Sequence, residues 1–252
     1  MLAFLKRIFL FLVPFSLLFW LIHSQFESSI ARSSQTAIAG FYSTDGLVFG
    51  LIIGFVIQRG WEIWTNLSES VQTEIDAIRE VWKWVWYAKP ALRDKAHKHL
   101  EGYISSIISE WHKGRETRRT KGVEEEIDNL RDMLSDLSVS VGPLDDQLQI
   151  AFANLIEARN RRLNFSNEHM PFILKRVLIF TDAVFILLSL FITLNNTYLD
   201  FLFTASIGLI AFTLIVVVDD LDNPFRPGTW EITTEGFEKL LKELTGGKEH
   251  VS

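Results

Sequence analysis

Gly46, Gly50 and Gly54 recur at every fourth position of an apolar run, with Leu47 and Leu51 on the adjacent stripe and with Asp45 and Arg59 at the two ends. Glycines at this spacing let one helix approach another closely. The same run is short, which suits a helix that neighbouring helices cover while it lines a pathway; Leu47 and Leu51 would then form a hydrophobic constriction that gates by dewetting. The residues by themselves leave both roles open.

Asp182 stands inside a second apolar stretch, where an ionised side chain is costly and calls for a partner. Lys175, Arg176 or an arginine of another subunit could supply one, with Thr181 sharing the hydrogen bonding; a place near an ion path is the other reading. Asp219, Asp220 and Asp222 crowd the end of a further apolar run. Calcium takes six or more oxygens from a shaped loop, and helix capping and solvation at a membrane edge is the simpler role for these three.

Covalent chemistry has no visible seat. The absence of cysteine excludes a disulfide framework, a thiolate metal site and a cysteine nucleophile. The 6 histidines are scattered, and His97 and His99, two apart, point away from each other on a helix. No phosphate-cradling glycine loop, HExxH or GxSxG occurs. A formal net charge of −6 offers nucleic acid no basic field. The chain is therefore expected to be no enzyme, with no cofactor, no metal and no nucleic-acid partner.

These residues are carried by four apolar segments in a two-plus-two order, Ile8 to Ile22, Gly46 to Ile57, Val177 to Leu194 and Leu199 to Val218, around a long charged block. The last alone, at about 1.5 Å per residue, matches a hydrocarbon core of about 30 Å. Lys6 and Arg7 before the first segment and Ala37 to Ala39 after it resemble a secretory signal, but the site lies too far from the apolar stretch. Basic residues flank one side: Lys6 and Arg7, Arg59, the group Arg159, Arg161, Arg162, Lys175 and Arg176, and Arg226. The opposite linkers hold only Arg32. Both termini and the central block are thus expected in the cytoplasm of a multi-pass protein of the cell membrane.

The central block has helical periodicity. From Val71, with Ser68 or Ser70 as cap, Ile75, Ile78, Trp82, Val85 and Trp86 step by three and four, leaving Trp84 on another face for a neighbour or lipid. Pro90 ends that helix and opens the next, whose apolar stripe runs from Leu92 to Trp111. Val123 to Val141 form a short heptad seam, and Gly142-Pro143 stops it. A fourth helix runs from Leu144 to about Leu163. Trp61 and Trp64 suit an interfacial aromatic belt.

The run Gly54 to Leu67, with Gln58-Arg59-Gly60-Trp61 at its centre and Asn66-Leu67 at its end, is similar to the bestrophin segment in which the pore-lining second helix closes on an Arg-aromatic-Trp signature. Leu221-Asp222-Asn223-Pro224-Phe225 resembles that family's turn after its last membrane helix. In layout the likeness covers most of the chain, and it is greatest to the prokaryotic bestrophin-like branch. The resemblance implies a homopentamer in the lipid bilayer, passing inorganic ions passively through a central pore. Its neck positions would be Leu47 and Leu51, with Ser43 at the outer end and Gly50 and Gly54 beside them. Bestrophins carry bulkier aromatic or β-branched residues there, and the acidic run that follows the family's Pro-Phe turn is replaced by Arg226-Pro227-Gly228. The resemblance fixes neither the sign of the permeant ion nor a calcium site.

The expected fold is all-α and bestrophin-like: four transmembrane helices with a cytoplasmic helical bundle, divided as 1–65, 66–170, 171–218 and 219–252. A membrane-anchored scaffold or sensor without conduction is the rival. A secondary transporter is disfavoured by the lack of an inverted repeat.

Overall fold

A computed structural model describes residues 2–26, 32–87, 90–114, 117–137, 143–190 and 196–246. All regular structure among them is helical, in the order α1 (Leu2–Phe26), α2 (Arg32–Trp86), α3 (Pro90–His112), α4 (Lys121–Leu137), α5 (Pro143–Ser166), α6 (Phe172–Ser189), α7 (Thr197–Asp222) and α8 (Glu235–Gly246). Proline sets much of this division, because it lacks an N–H and fits best in the first turn of a helix; Pro14, inside α1, is the exception. Pro90 and Pro143 open α3 and α5, and Pro171 is the N-cap of α6. Asn196 caps α7 by accepting from the Tyr198 and Leu199 N–H groups at 3.0 and 3.2 Å. Gly142 and residues 191–195, including the end of the third apolar segment, lie outside the described residues.

The expected fresh start near Ser68 or Ser70 does not occur. α2 continues through it for 55 residues, and the Ser70 hydroxyl donates back to the Leu67 carbonyl at 2.7 Å instead of capping. Leu67 and Val71 stay buried across the polar stretch, so packing holds the helix together where composition suggests a break.

The chain divides into two compact units, residues 1–62 with 170–223, and 63–169 with 224–252. In the first, α7 packs on both α1 and α6. Aromatic rings fill the α1 contact: Phe11 stacks on Phe212 at 4.6 Å and Phe19 meets Phe201 edge-on at 5.1 Å. Gly208 makes room for Phe15, whose ring lies 3.0 Å from where a Cβ would stand. Among the described residues two helices are long and apolar enough to cross a membrane, α7 and the stretch of α2 from Ala39 onward; Leu10–Ser24 of α1 is a shorter apolar run.

The second unit is a helical bundle with one buried core. Ile78, Val81 and Val85 of α2, Leu100 and Ile104 of α3, Ile127 and Leu130 of α4, Leu155 of α5 and Phe237 of α8 meet there. The heptad residues Val123, Ile127, Leu130 and Leu134 belong to this core, and α4 packs on α3 of the same chain. The tryptophan run differs from its helical reading. Trp86 is 42% exposed with the Arg93 guanidinium over its ring at 4.8 Å, whereas Trp84 packs at the edge of the core and donates to Glu80 at 2.6 Å. The helix ends at Trp86, whose ring meets Trp82 edge-on at 5.8 Å and is not part of the buried core.

Candidate functional site

One face of the outer half of α2 is covered and the other is bare. Phe49, Ile53 and Val56 are buried. On the opposite side Leu47 is 66% and Leu51 68% exposed, and Ser43, Gly50 and Gly54 are exposed beside them. Cβ atoms added at Gly50 or Gly54 would meet nothing within 4 Å. Gly46 alone serves a close contact: a Cβ there would stand 3.2 Å from the Phe185 ring, which is itself stacked at 4.8 Å on both Tyr42 and Phe49. The glycine stripe thus splits, with its first member packing α2 on α6 and the other two fronting open space.

The ends of this segment are polar. Asp45 is half-buried, and its enclosed Oδ2 meets no hydrogen-bond donor among the described residues. At the other end Arg59 donates to Glu62 at 2.8 Å. Trp61 is partly exposed. Gly60 lets α2 approach Met170 and Leu221, with 3.2 and 3.3 Å to the place of its missing Cβ.

Within one subunit Asp182 is paired with neither Lys175 nor Arg176. It is 5% exposed, and no donor among the described residues reaches its Oδ1. Thr181 donates to the Val177 carbonyl at 2.7 Å, Arg176 lies over the Phe172 ring at 4.0 Å, and the Lys175 ammonium is hydrogen-bonded to Asp222. Asp222 is therefore the real counter-charge at this end of the first unit: buried, it also accepts the Met170 N–H at 2.5 Å. Both bonds tie the start of α6 to the end of α7.

The rest of the acidic cluster is used locally. Asn223 donates to the Asp219 carbonyl at 2.8 Å and to its carboxylate at 3.2 Å, and Asp220 is half-buried beside it. Among the described residues no three of His, Cys, Asp and Glu gather as a metal site would require. In the second unit, Pro224 accepts from the Ile232 N–H at 2.8 Å, and Phe225 meets Trp111 edge-on at 5.3 Å.

A fully buried carboxylate escaped sequence reasoning. Glu74 of α2, fully buried, accepts hydrogen bonds from Arg162 of α5 and from the Tyr103 hydroxyl of α3, the latter at 2.5 Å. Burial pushes the Tyr103 phenol well above its ordinary value, and the Glu74 charge adds to this. Burial alone would lower the Arg162 guanidinium, but the Glu74 carboxylate outweighs it and holds the group above its usual range. Arg159, one turn away, pairs with Glu124 at 2.5 Å. The available signal was a glutamate on the apolar stripe Val71, Ile75, Ile78. A similar buried pair, His23 and Asp200 at 3.6 Å, joins α1 to α7.

Known structures share this fold. A mutant of a bacterial bestrophin homologue from Klebsiella pneumoniae superposes with a TM-score of 0.78 at 12% identity, covering 98% of this chain and 100% of that one. Another mutant gives 0.74 at 12% identity over 96% and 98% of the two chains. A structure described as a membrane protein gives 0.77 at 13% identity over 96% and 99%. At such identities the likeness is one of fold. Comparison with curated proteins finds no match. The Bestrophin-like domain, however, matches residues 9–237, nearly the whole sequence, and with an all-helical fold shared end to end with bestrophin homologues, the chain belongs to the bestrophin-like family.

Proposed function

We propose that the chain is the subunit of an ion channel, passing ions passively through a central pore that five copies of α2 surround. The observation that carries this reading is the bare stripe of α2: Leu47 and Leu51 are two-thirds exposed on a helix whose opposite face is packed. In a membrane-spanning segment such a stripe faces lipid, another protein surface or a pathway. Its neighbours Ser43, Gly50 and Gly54 are small or polar, a poor match for lipid and a good one for a narrow passage. Membership of the bestrophin-like family supports the channel class and a membrane location.

In this reading α1, the outer part of α2, α6 and α7 all cross the bilayer; of the charged residues among the 18 of α6, Asp182 is buried, Lys175 is hydrogen-bonded to Asp222, and Arg176 is exposed in the first turns. Both termini and residues 66–170 lie in the cytoplasm, on the side where the basic flanks gather. Single cysteines introduced as Thr120→Cys and Asn196→Cys test the topology in intact cells. An impermeant thiol reagent applied outside should label position 196 and spare position 120; the reverse pattern refutes the topology.

Assembly is tested separately. Native mass spectrometry of the protein in mild detergent should give five chains as the dominant species. A monomer removes the central pore, and a dimer favours a scaffold or a transporter.

A further inference from the structure

Asp182 poses an electrostatic question that the pore reading does not answer. The side chain is 5% exposed, on the buried face that α6 forms with Leu178, Thr181 and Ser189. An ionised carboxylate at membrane depth needs a counter-charge or hydrogen-bond donors, and no donor among the described residues reaches its Oδ1.

The chain's own cations are out of position. None of the apolar segments Ile8 to Ile22, Gly46 to Ile57, Val177 to Leu194 and Leu199 to Val218 contains lysine or arginine. On α6 itself Lys175 lies seven residues earlier, about 10 Å along the axis, and is bound to Asp222, while Arg176 lies over Phe172. Of the helices packed with α6, α2 brings Phe49, stacked on Phe185 three residues beyond Asp182, with Tyr42 and Asp45 as the titratable groups near it and with Arg32 at its start and Arg59 at the inner end of its apolar segment. α7 brings Tyr198, Asp200, Asp219, Asp220 and Asp222, of which Asp200 faces His23 of α1. In an oligomer whose axis is normal to the bilayer, a second copy brings no lysine or arginine within these segments either, because rotation repeats the same residues at the same depth. Among the described residues no lysine or arginine is placed to pair with the carboxylate, which leaves solution as a source of the positive charge.

We propose that Asp182 is a binding site for a monovalent cation recruited from solution, a proton or an alkali metal ion, enclosed between α6 and its neighbouring helices. The site rests on α6 spanning the membrane but not on conduction. When it is filled, the carboxyl packs among apolar neighbours; when it is emptied, α6 carries an uncompensated charge and its packing weakens.

Thermal unfolding of the full-length oligomer in detergent tests this without any flux measurement. Wild type, Asp182→Asn and Asp182→Leu are compared in lithium, sodium, potassium and choline chlorides at equal ionic strength, and across a pH series in choline chloride. A tenfold change in a saturating ligand should move the wild-type midpoint by about 3–5 °C. If an alkali ion is the ligand, stability rises with that ion and choline does not replace it. If a proton is the ligand, stability falls as pH rises and the alkali ions have no effect. In either case both variants should assemble and lose the dependence, since a neutral side chain needs no counter-charge. A wild type with the same salt and pH response as the variants overturns the proposal. So does failure of both variants to assemble, which would mean that a protein group pairs with the carboxylate.

Discussion

Replacing Leu47 and Leu51 together by alanine is expected to raise ion flux through the intact oligomer by roughly tenfold or more. Each change removes the isopropyl end of a side chain that, within the subunit, touches little: both leucines are two-thirds exposed. If five copies of this stripe ring a pore, ten truncated side chains widen it and lower the cost of keeping water there. Each ~1.4 kcal/mol taken from a permeation barrier is worth about a factor of ten in rate. If the leucines instead pack against another subunit, truncation leaves cavities costing about 2–5 kcal/mol per buried leucine, and the assembly loosens without conducting better. Flux from liposomes, with the oligomer size checked in the same preparation, separates the two. Unchanged or lower flux through a stable pentamer removes the gate assignment.

The largest effect on stability is expected at the Glu74 and Arg162 pair. Both are almost fully enclosed, and Arg162 donates through its Nε and Nη2 to the two carboxylate oxygens. Arg162→Met strands a buried carboxylate, and Glu74→Leu strands a buried guanidinium; either should cost about 3–5 kcal/mol. The double variant should recover most of that loss, because no unpaired charge remains and the replacements are apolar. Tyr103→Phe removes one hydrogen bond to Glu74 and should cost about 1–3 kcal/mol. Unfolding of the four variants measures the coupling. Single variants that cost under about 1 kcal/mol, or a double variant as damaged as the sum of the singles, would mean that the pair is not the enclosed ion pair described.

What could be read in advance followed from local rules. Pro90 marked a helix start and Gly142-Pro143 a break just before one, because proline is favoured in the first turn, and Pro171 stood just before α6. The spacing of Val123, Ile127, Leu130 and Leu134 located one face of α4, and it is buried. The motif residues Arg59 to Trp61 and Asn223 to Phe225 led to the correct family. What stayed hidden was pairing over long sequence separations. Lys175 finds Asp222 at a separation of 47 residues, and Arg162 finds Glu74 at 88. Periodicity places a residue on a face but does not name the side chain across from it. The continuity of α2 was missed for a related reason: Thr65, Asn66, Ser68 and Ser70 have weak helix propensity, yet Leu67 and Val71 between them are buried, and burial decides.

The central claim is that a pore runs along α2, and electrical recording measures it directly. Purified wild-type protein, shown to be pentameric, is fused into planar bilayers under a potassium chloride gradient. The account predicts discrete unitary currents, absent from protein-free bilayers and larger or longer-lived in the Leu47→Ala, Leu51→Ala variant. A stable wild-type pentamer that stays electrically silent, with the double variant equally silent, would contradict it.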